Sequence, residues 1–286
     1  MHPATASTST VADSNTPASH RLARTDRTPL RADLRLAWRQ VGFEQRAFWR
    51  NRSRAFFSVA FPLVFLVLFN AINGGHHIAE LGGISYATWF VPGILAYGLI
   101  MATFTNLAVS TAIARDLGIL KRIRGTAMPT WVFMAGRIAS TLVTALVLTA
   151  ATLGLGVVAY GVHLRTSTLA GLLLTLALGS VCFTTLGLAV TAIIPNADAA
   201  PAIVNVIVLP LTFISGIWMV LASAPAWLTT VARLFPVKAL ADGLQHAFDP
   251  ATTGNGIVMG DVRCLAIWTA VGVILFLRTF RWESSR

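Results

Sequence analysis

Apolar positions along this chain gather into long unbroken stretches instead of the short alternations of a soluble fold. Five intervals carry no Asp, Glu, Lys or Arg: 55–79, 81–114, 138–164, 166–197 and 199–232. A helix needs about 20 mainly apolar residues to cross about 30 Å of hydrocarbon, so each interval holds one span, expected near 55–73, 89–111, 138–160, 170–194 and 201–221. A sixth span is expected near 263–280. Only residues 264–277 are free of charge there, but Arg263 and Arg278 can extend to the two surfaces while Phe280 and Trp282 sit at an interface. The pattern predicts an all-α integral membrane protein with six transmembrane helices.

Composition agrees. Of 286 residues, 55% are hydrophobic and 12% charged, against roughly 25% charged in a soluble domain. The formal net charge of +11 would suggest nucleic acid in a soluble protein, but the basic residues flank the apolar runs, and no nucleic-acid partner is expected. Cys182 and Cys264 both lie inside apolar stretches, where packing is the expected role. Residues 1–30 are rich in Ser, Thr, Ala and Pro and lack an apolar signal region, which predicts a disordered cytoplasmic tail ahead of a membrane domain over 31–286.

The distribution of Lys and Arg sets an orientation. The segment before the first span, the 112–137 loop, the 195–200 loop and the C-terminal tail together hold eighteen, and the loops of the other side hold four. Cytoplasmic loops carry the excess, so both termini are expected in the cytoplasm.

Two segments outside the spans are amphipathic. In 33–54, Leu34, Trp38, Val41 and Phe48 share one helical face and six arginines surround it, the form of an interfacial helix that lies against lipid. Between spans two and three, Ile113, Leu117, Leu120 and Ile123 form a ridge, with Lys121, Arg122 and Arg124 near the end and Gly125 after it. That reads as a helix continuing span two into the cytoplasm and capped at Gly125, either a handle for a partner protein or a solvated loop helix, which the physics alone favours equally.

Within the spans, Asn70, Thr103, Asn106 and Asn205 are candidates to line a substrate path, the alternative being hydrogen bonds between helices. Residues 223–247, with Pro225, Pro236 and too few uninterrupted apolar positions to span, suit a re-entrant helical pair between spans five and six, or else an external amphipathic loop. His76, His77 and Glu80 lack a further well-spaced ligand, so no metal site is expected. No charge sits centrally in a span, which argues against a proton or sodium relay, and the GxxxxGK[ST] phosphate loop is missing. Energy is expected from a separate polypeptide.

The run Arg115-Asp116-Leu117-Gly118-Ile119-Leu120, then Thr126-Ala127-Met128-Pro129 and Gly136-Arg137, resembles the pattern of ATP-binding-cassette type-2 exporter permeases. These include the daunorubicin-resistance membrane subunit and lipid and polysaccharide exporters. A second stretch, from Ile214-Ser215-Gly216 through Pro225-Ala226-Trp227-Leu228 to Pro236 and Asp242-Gly243-Leu244, is similar to the family's region after span five, without its usual proline a few residues after Gly216. The resemblance implies that the loop between spans two and three docks on the ATPase through Arg115, Asp116, Gly118, Leu120, Arg122 and Pro129. It also implies short helices returning into the outer leaflet after span five.

The expectation is therefore a permease subunit in the cell membrane, moving a hydrophobic or amphipathic substrate out of the cytoplasm. A drug, a lipid and a lipid-linked glycan all fit. The expected partners are a separate ATPase subunit, which would carry ATP and Mg, a second membrane subunit in a homodimer or heterodimer, and membrane lipids. This chain itself is expected to hold no cofactor and no catalytic residue. The alternatives are a membrane-embedded lipid-modifying enzyme and a non-transporting anchor.

Overall fold

The computed structural model describes residues 30–73, 75–124, 130–222 and 224–279. They form a helical bundle with a single two-stranded ribbon, β1 (His77–Ile78) pairing antiparallel with β2 (Ile84–Ser85). Helix α1 (Leu30–Arg50) is followed by the turn Arg52–Ala55 and then α2 (Phe56–Asn73). After the ribbon come α3 (Tyr86–Asp116), α4 (Ile119–Arg124), α5 (Thr130–Tyr160), α6 (Leu169–Val190), α7 (Ala200–Ile214), α8 (Ala226–Arg233), α9 (Pro236–Phe248) and α10 (Met259–Thr279).

Among the described residues, five helical segments are long and apolar enough to cross a membrane: Phe56–Asn73, Tyr86–Asp116, Ala135–Tyr160, Thr166–Val190 and Met259–Thr279. They fall on five of the expected spans. The expected fifth span, 201–221, is shorter than the apolar run. Helix α7 has 15 residues, about 22 Å at 1.5 Å per residue, and stops before Gly216, whose φ of +85° lies in the left-handed region. The apolar residues beyond it fold back. Trp218 packs its ring 4.9 Å from Tyr97, 5.6 Å from Phe65 and 6.2 Å from Phe69, so the run serves packing against α2 and α3 instead of more helix.

Helix α3 is the central post. Phe90, Val91, Ile94, Leu95 and Leu99 along it are fully buried, and it touches α2, α5, α6 and α9. One wide turn interrupts it at Met101–Thr105, where the Asn106 N–H reaches back to the Met101 carbonyl. A similar wide turn at Phe56–Ala60 lies just before Pro62 in α2, where the missing N–H of proline disturbs the regular ladder. By contrast α2, α5 and α10 leave Val64, Leu68, Val158, Ile267 and Leu277 exposed on their outer faces, as helices bordered by lipid do.

Helices α8 and α9 form a hairpin beside α10. The Trp268 indole N–H donates to the Leu234 carbonyl at 2.7 Å and its ring stacks on Phe235. The other end of α9 is tied to the start of α6 by the Thr168 hydroxyl, which donates to the Ala247 carbonyl at 2.7 Å. The hairpin turn therefore lies about 13 Å along α10 from its first residue, and the chain returns from there.

Candidate functional site

The expected coupling segment is ordered by its first two residues. Arg115, at the end of α3, turns inward and is buried. Its Nη1 donates to the Thr191 carbonyl at 3.0 Å and its Nη2 donates to the Ile194 carbonyl. Both acceptors lie just past the end of α6, where carbonyls have no helical partner and a cation is favoured. Asp116 accepts from the Ala197 N–H through Oδ2 at 2.5 Å. The two side chains clasp the 191–199 turn to the segment that follows α3.

The helix expected to run unbroken to Gly125 breaks earlier. The Leu117 N–H caps back to Ile113, and Gly118 takes φ +67°, a left-handed conformation that favours glycine. Helix α4 then starts in a new direction, which divides the ridge expected from spacing alone. Leu117 is 65% exposed and Ile119 42%, whereas Leu120 is fully buried with Leu107, Phe133 and Leu188. Lys121 and Arg122 are exposed. Pro129 and residues 125–128 lie outside the described residues.

Helix α1 is seated on α5. Gly136 of α5 has no room for a side chain, because a Cβ there would meet Gln40 and come within 3.4 Å of the Ala37 carbonyl oxygen. Gln45 donates from Nε2 to the Ser140 carbonyl at 2.6 Å and reaches the Ser140 and Thr144 hydroxyls. Arg137, also buried, donates to the Ser110 hydroxyl at 3.0 Å, lies 3.7 Å from the Glu44 carboxylate and stands over the Phe133 ring. The face expected to lie on lipid is thus divided too. Val41 and Phe48 turn into the protein while Trp38 is 73% exposed; the Leu34 side chain is outside the described set.

At the other end of the bundle a cavity of about 540 Å³ opens between α9, the loop after α7, α8 and the ribbon. Its polar wall is one stripe of α9, Lys238, Asp242, Gln245, His246 and Asp249, joined by Arg233 of α8. Its apolar wall includes Leu81, Ile84, Trp89, Met219 and Leu221. Lys238 Nζ bonds Asp242 Oδ1 at 2.5 Å, and Gln245 donates to the Gly216 carbonyl at 3.1 Å. Burial pushes the Asp242 carboxyl above its usual range, and Lys238 pulls it back.

A profile of the ABC-2 type transporter family matches residues 36–248. That reach takes in all but the first six residues of α1, both clasp residues and the whole of the hairpin. The chain belongs to this family. It is also similar to the inner membrane transport permease YadH of Escherichia coli strain K12 and of Shigella flexneri. In each case it is 25% identical over 194 residues, covering 66% of this chain and 73% of the relative.

An ABC-2 family member is a multi-pass membrane protein, the transport subunit of an ABC transporter that works with an ABC ATPase subunit. The lipid-modifying enzyme and the non-transporting anchor give way to that reading. The intramembrane candidates do not converge within this one chain. Asn70 donates to the carbonyl of Leu66 at 2.9 Å and Thr103 to that of Leu99 at 2.7 Å, each one turn back in its own helix. Asn106 lines a small crevice with Glu44, Arg137 and Ser140, and Asn205 is exposed on α7. No expectation drawn from the sequence brought the charged residues of this cavity together. The signal was present in the period: 238, 242, 245, 246 and 249 follow helical spacing in an otherwise apolar segment.

Proposed function

We propose that this chain is the membrane subunit of an exporter. It moves a hydrophobic or amphipathic substrate out of the cytoplasm with ATP hydrolysed on a separate subunit, and α4 with the turn before it is the contact that receives the ATPase motion. The observation that carries this reading is the clasp. Arg115 and Asp116 fix the base of α4 on the ends of α3 and α6, while Leu117, Ile119, Lys121 and Arg122 face outward. A displacement at that outer face reaches two spans at once.

The excess of Lys and Arg on this side favours a cytoplasmic location for it and for both termini. The α8–α9 hairpin then dips into the outer leaflet. A second membrane subunit, identical or different, suits the exposed face of α7, where Asn205 stands among Val206, Leu209 and Phe213. A substrate path between two such faces would place Asn205 on its wall.

The test is to purify the tagged chain in mild detergent from its native membrane and identify the proteins that accompany it. An ATPase is expected with the wild type and lost from Leu117→Asp combined with Ile119→Asp, with the chain still folded. A folded wild-type chain that carries no ATPase, under conditions that preserve other transporter complexes, would refute the reading.

A further inference from the structure

The cavity opposite the coupling face has a charge arrangement that selects its ligand. Two cations, Arg233 and Lys238, come from the hairpin turn and the first turn of α9. Two carboxylates, Asp242 and Asp249, follow on the same stripe toward the far end of α9, and Asp261 at the start of α10 stands within the field of Asp242, Lys238 and Arg233. Lys238 is already held by Asp242, whereas the exposed Arg233 guanidinium hydrogen-bonds to no described residue and the Asp249 carboxylate accepts, among the described residues, from the Ala251 N–H alone, at 2.8 Å. The free ends of the stripe are thus one cation and one anion.

A purely anionic ligand would meet Asp242 and Asp249, and a purely cationic one Arg233 and Lys238; either would bury like charges together. A dipolar group meets neither penalty. The facing wall of Leu81, Ile84, Trp89, Met219 and Leu221 is apolar and aromatic, so the ligand has an apolar part as well. The volume lies within the roughly 300–1,000 Å³ typical of ligand sites.

We infer that this cavity binds a zwitterionic amphipath, with a phosphate toward Arg233, an amine toward Asp249 and an apolar chain along the Trp89 wall. A bilayer phospholipid with an ethanolamine headgroup has this chemistry, and so, without the chain, does free phosphoethanolamine. The inference takes the membrane placement of the hairpin from the transport reading but needs no ATPase, so its failure leaves the coupling reading intact.

The experiment embeds the full chain in nanodiscs of equimolar phosphatidylethanolamine and phosphatidylglycerol and counts the lipids it retains by native mass spectrometry. Wild type is expected to retain phosphatidylethanolamine about tenfold over phosphatidylglycerol. Asp249→Asn is expected to lose about tenfold of that preference, while Arg233→Gln, whose phosphate partner both lipids carry, is expected to lower the retention of both about tenfold, each on the scale of one charge-assisted hydrogen bond. Asp198→Asn, at the coupling end, is expected to keep the preference. Equal retention of both lipids by wild type would overturn the proposal, as would a preference that survives in folded Asp249→Asn or an undiminished retention of both lipids by folded Arg233→Gln. Displacement by phosphoethanolamine as effective as by the lipid would overturn the part assigned to the apolar wall.

Discussion

Two buried arginines at one end of the bundle and the arginine that lines the cavity at the other are used in opposite ways. At the coupling end Arg115 and Arg137 are buried, and their guanidinium groups bond backbone carbonyls and a serine hydroxyl. At the cavity end Arg233 is exposed and donates no hydrogen bond to a described residue. A buried guanidinium is costly unless its donors are met, so the first two hold helices in place, while the third is available to a ligand. The buried pair builds the fold, and the cavity arginine remains open to chemistry.

That contrast can be broken most severely at Leu120. Leu120→Asp puts an unpaired carboxylate among Leu107, Phe133 and Leu188 and is expected to cost more than about 4 kcal/mol, seen as loss of monodisperse protein in detergent. Arg115→Met removes both bonds to the 191–194 carbonyls and is expected to cost about 2–4 kcal/mol, read as a fall in the thermal unfolding midpoint. Gly136→Ile forces α1 away from α5 for about 1–3 kcal/mol, visible as faster proteolysis after residues of α1.

Asp116→Ala loosens only the Ala197 N–H, for about 1 kcal/mol, and is expected to weaken ATPase co-purification more than stability. Leu117→Asp changes an exposed position and is expected to shift stability by no more than about 0.5 kcal/mol while lowering ATPase recovery. If Leu117→Asp instead unfolds the chain as Leu120→Asp does, the division of the ridge into an inner and an outer side is wrong.

The spans were legible because a hydrocarbon solvent demands long apolar runs, and 56–73, 86–116 and 259–279 lie close to where those runs predicted helices. Periodicity was less reliable past a helix end. Spacing put Leu117 and Leu120 on one ridge, but the left-handed turn at Gly118 rotates the chain between them. The same holds for α7: apolarity continues to residue 222, yet the helix stops at Ile214 because Trp218 packs against Tyr97 and Phe65. Arg115 and Asp116 were expected at the ATPase contact, and their part in the clasp was not legible because their partners lie some eighty residues further along the chain.

By itself, then, the sequence determined the solvent in which this protein folds, the all-helical architecture, the basic and neutral ends, and the motifs that ally it with ABC-2 transporters. The first three follow from local composition and period, and the last from short runs of residues that resemble the family's. The tertiary structure alone decided which charges are buried as clasps and which line the cavity, and which half of the coupling ridge faces outward. Those outcomes depend on backbone carbonyls and side chains brought from distant segments, and no local pattern specifies such partners.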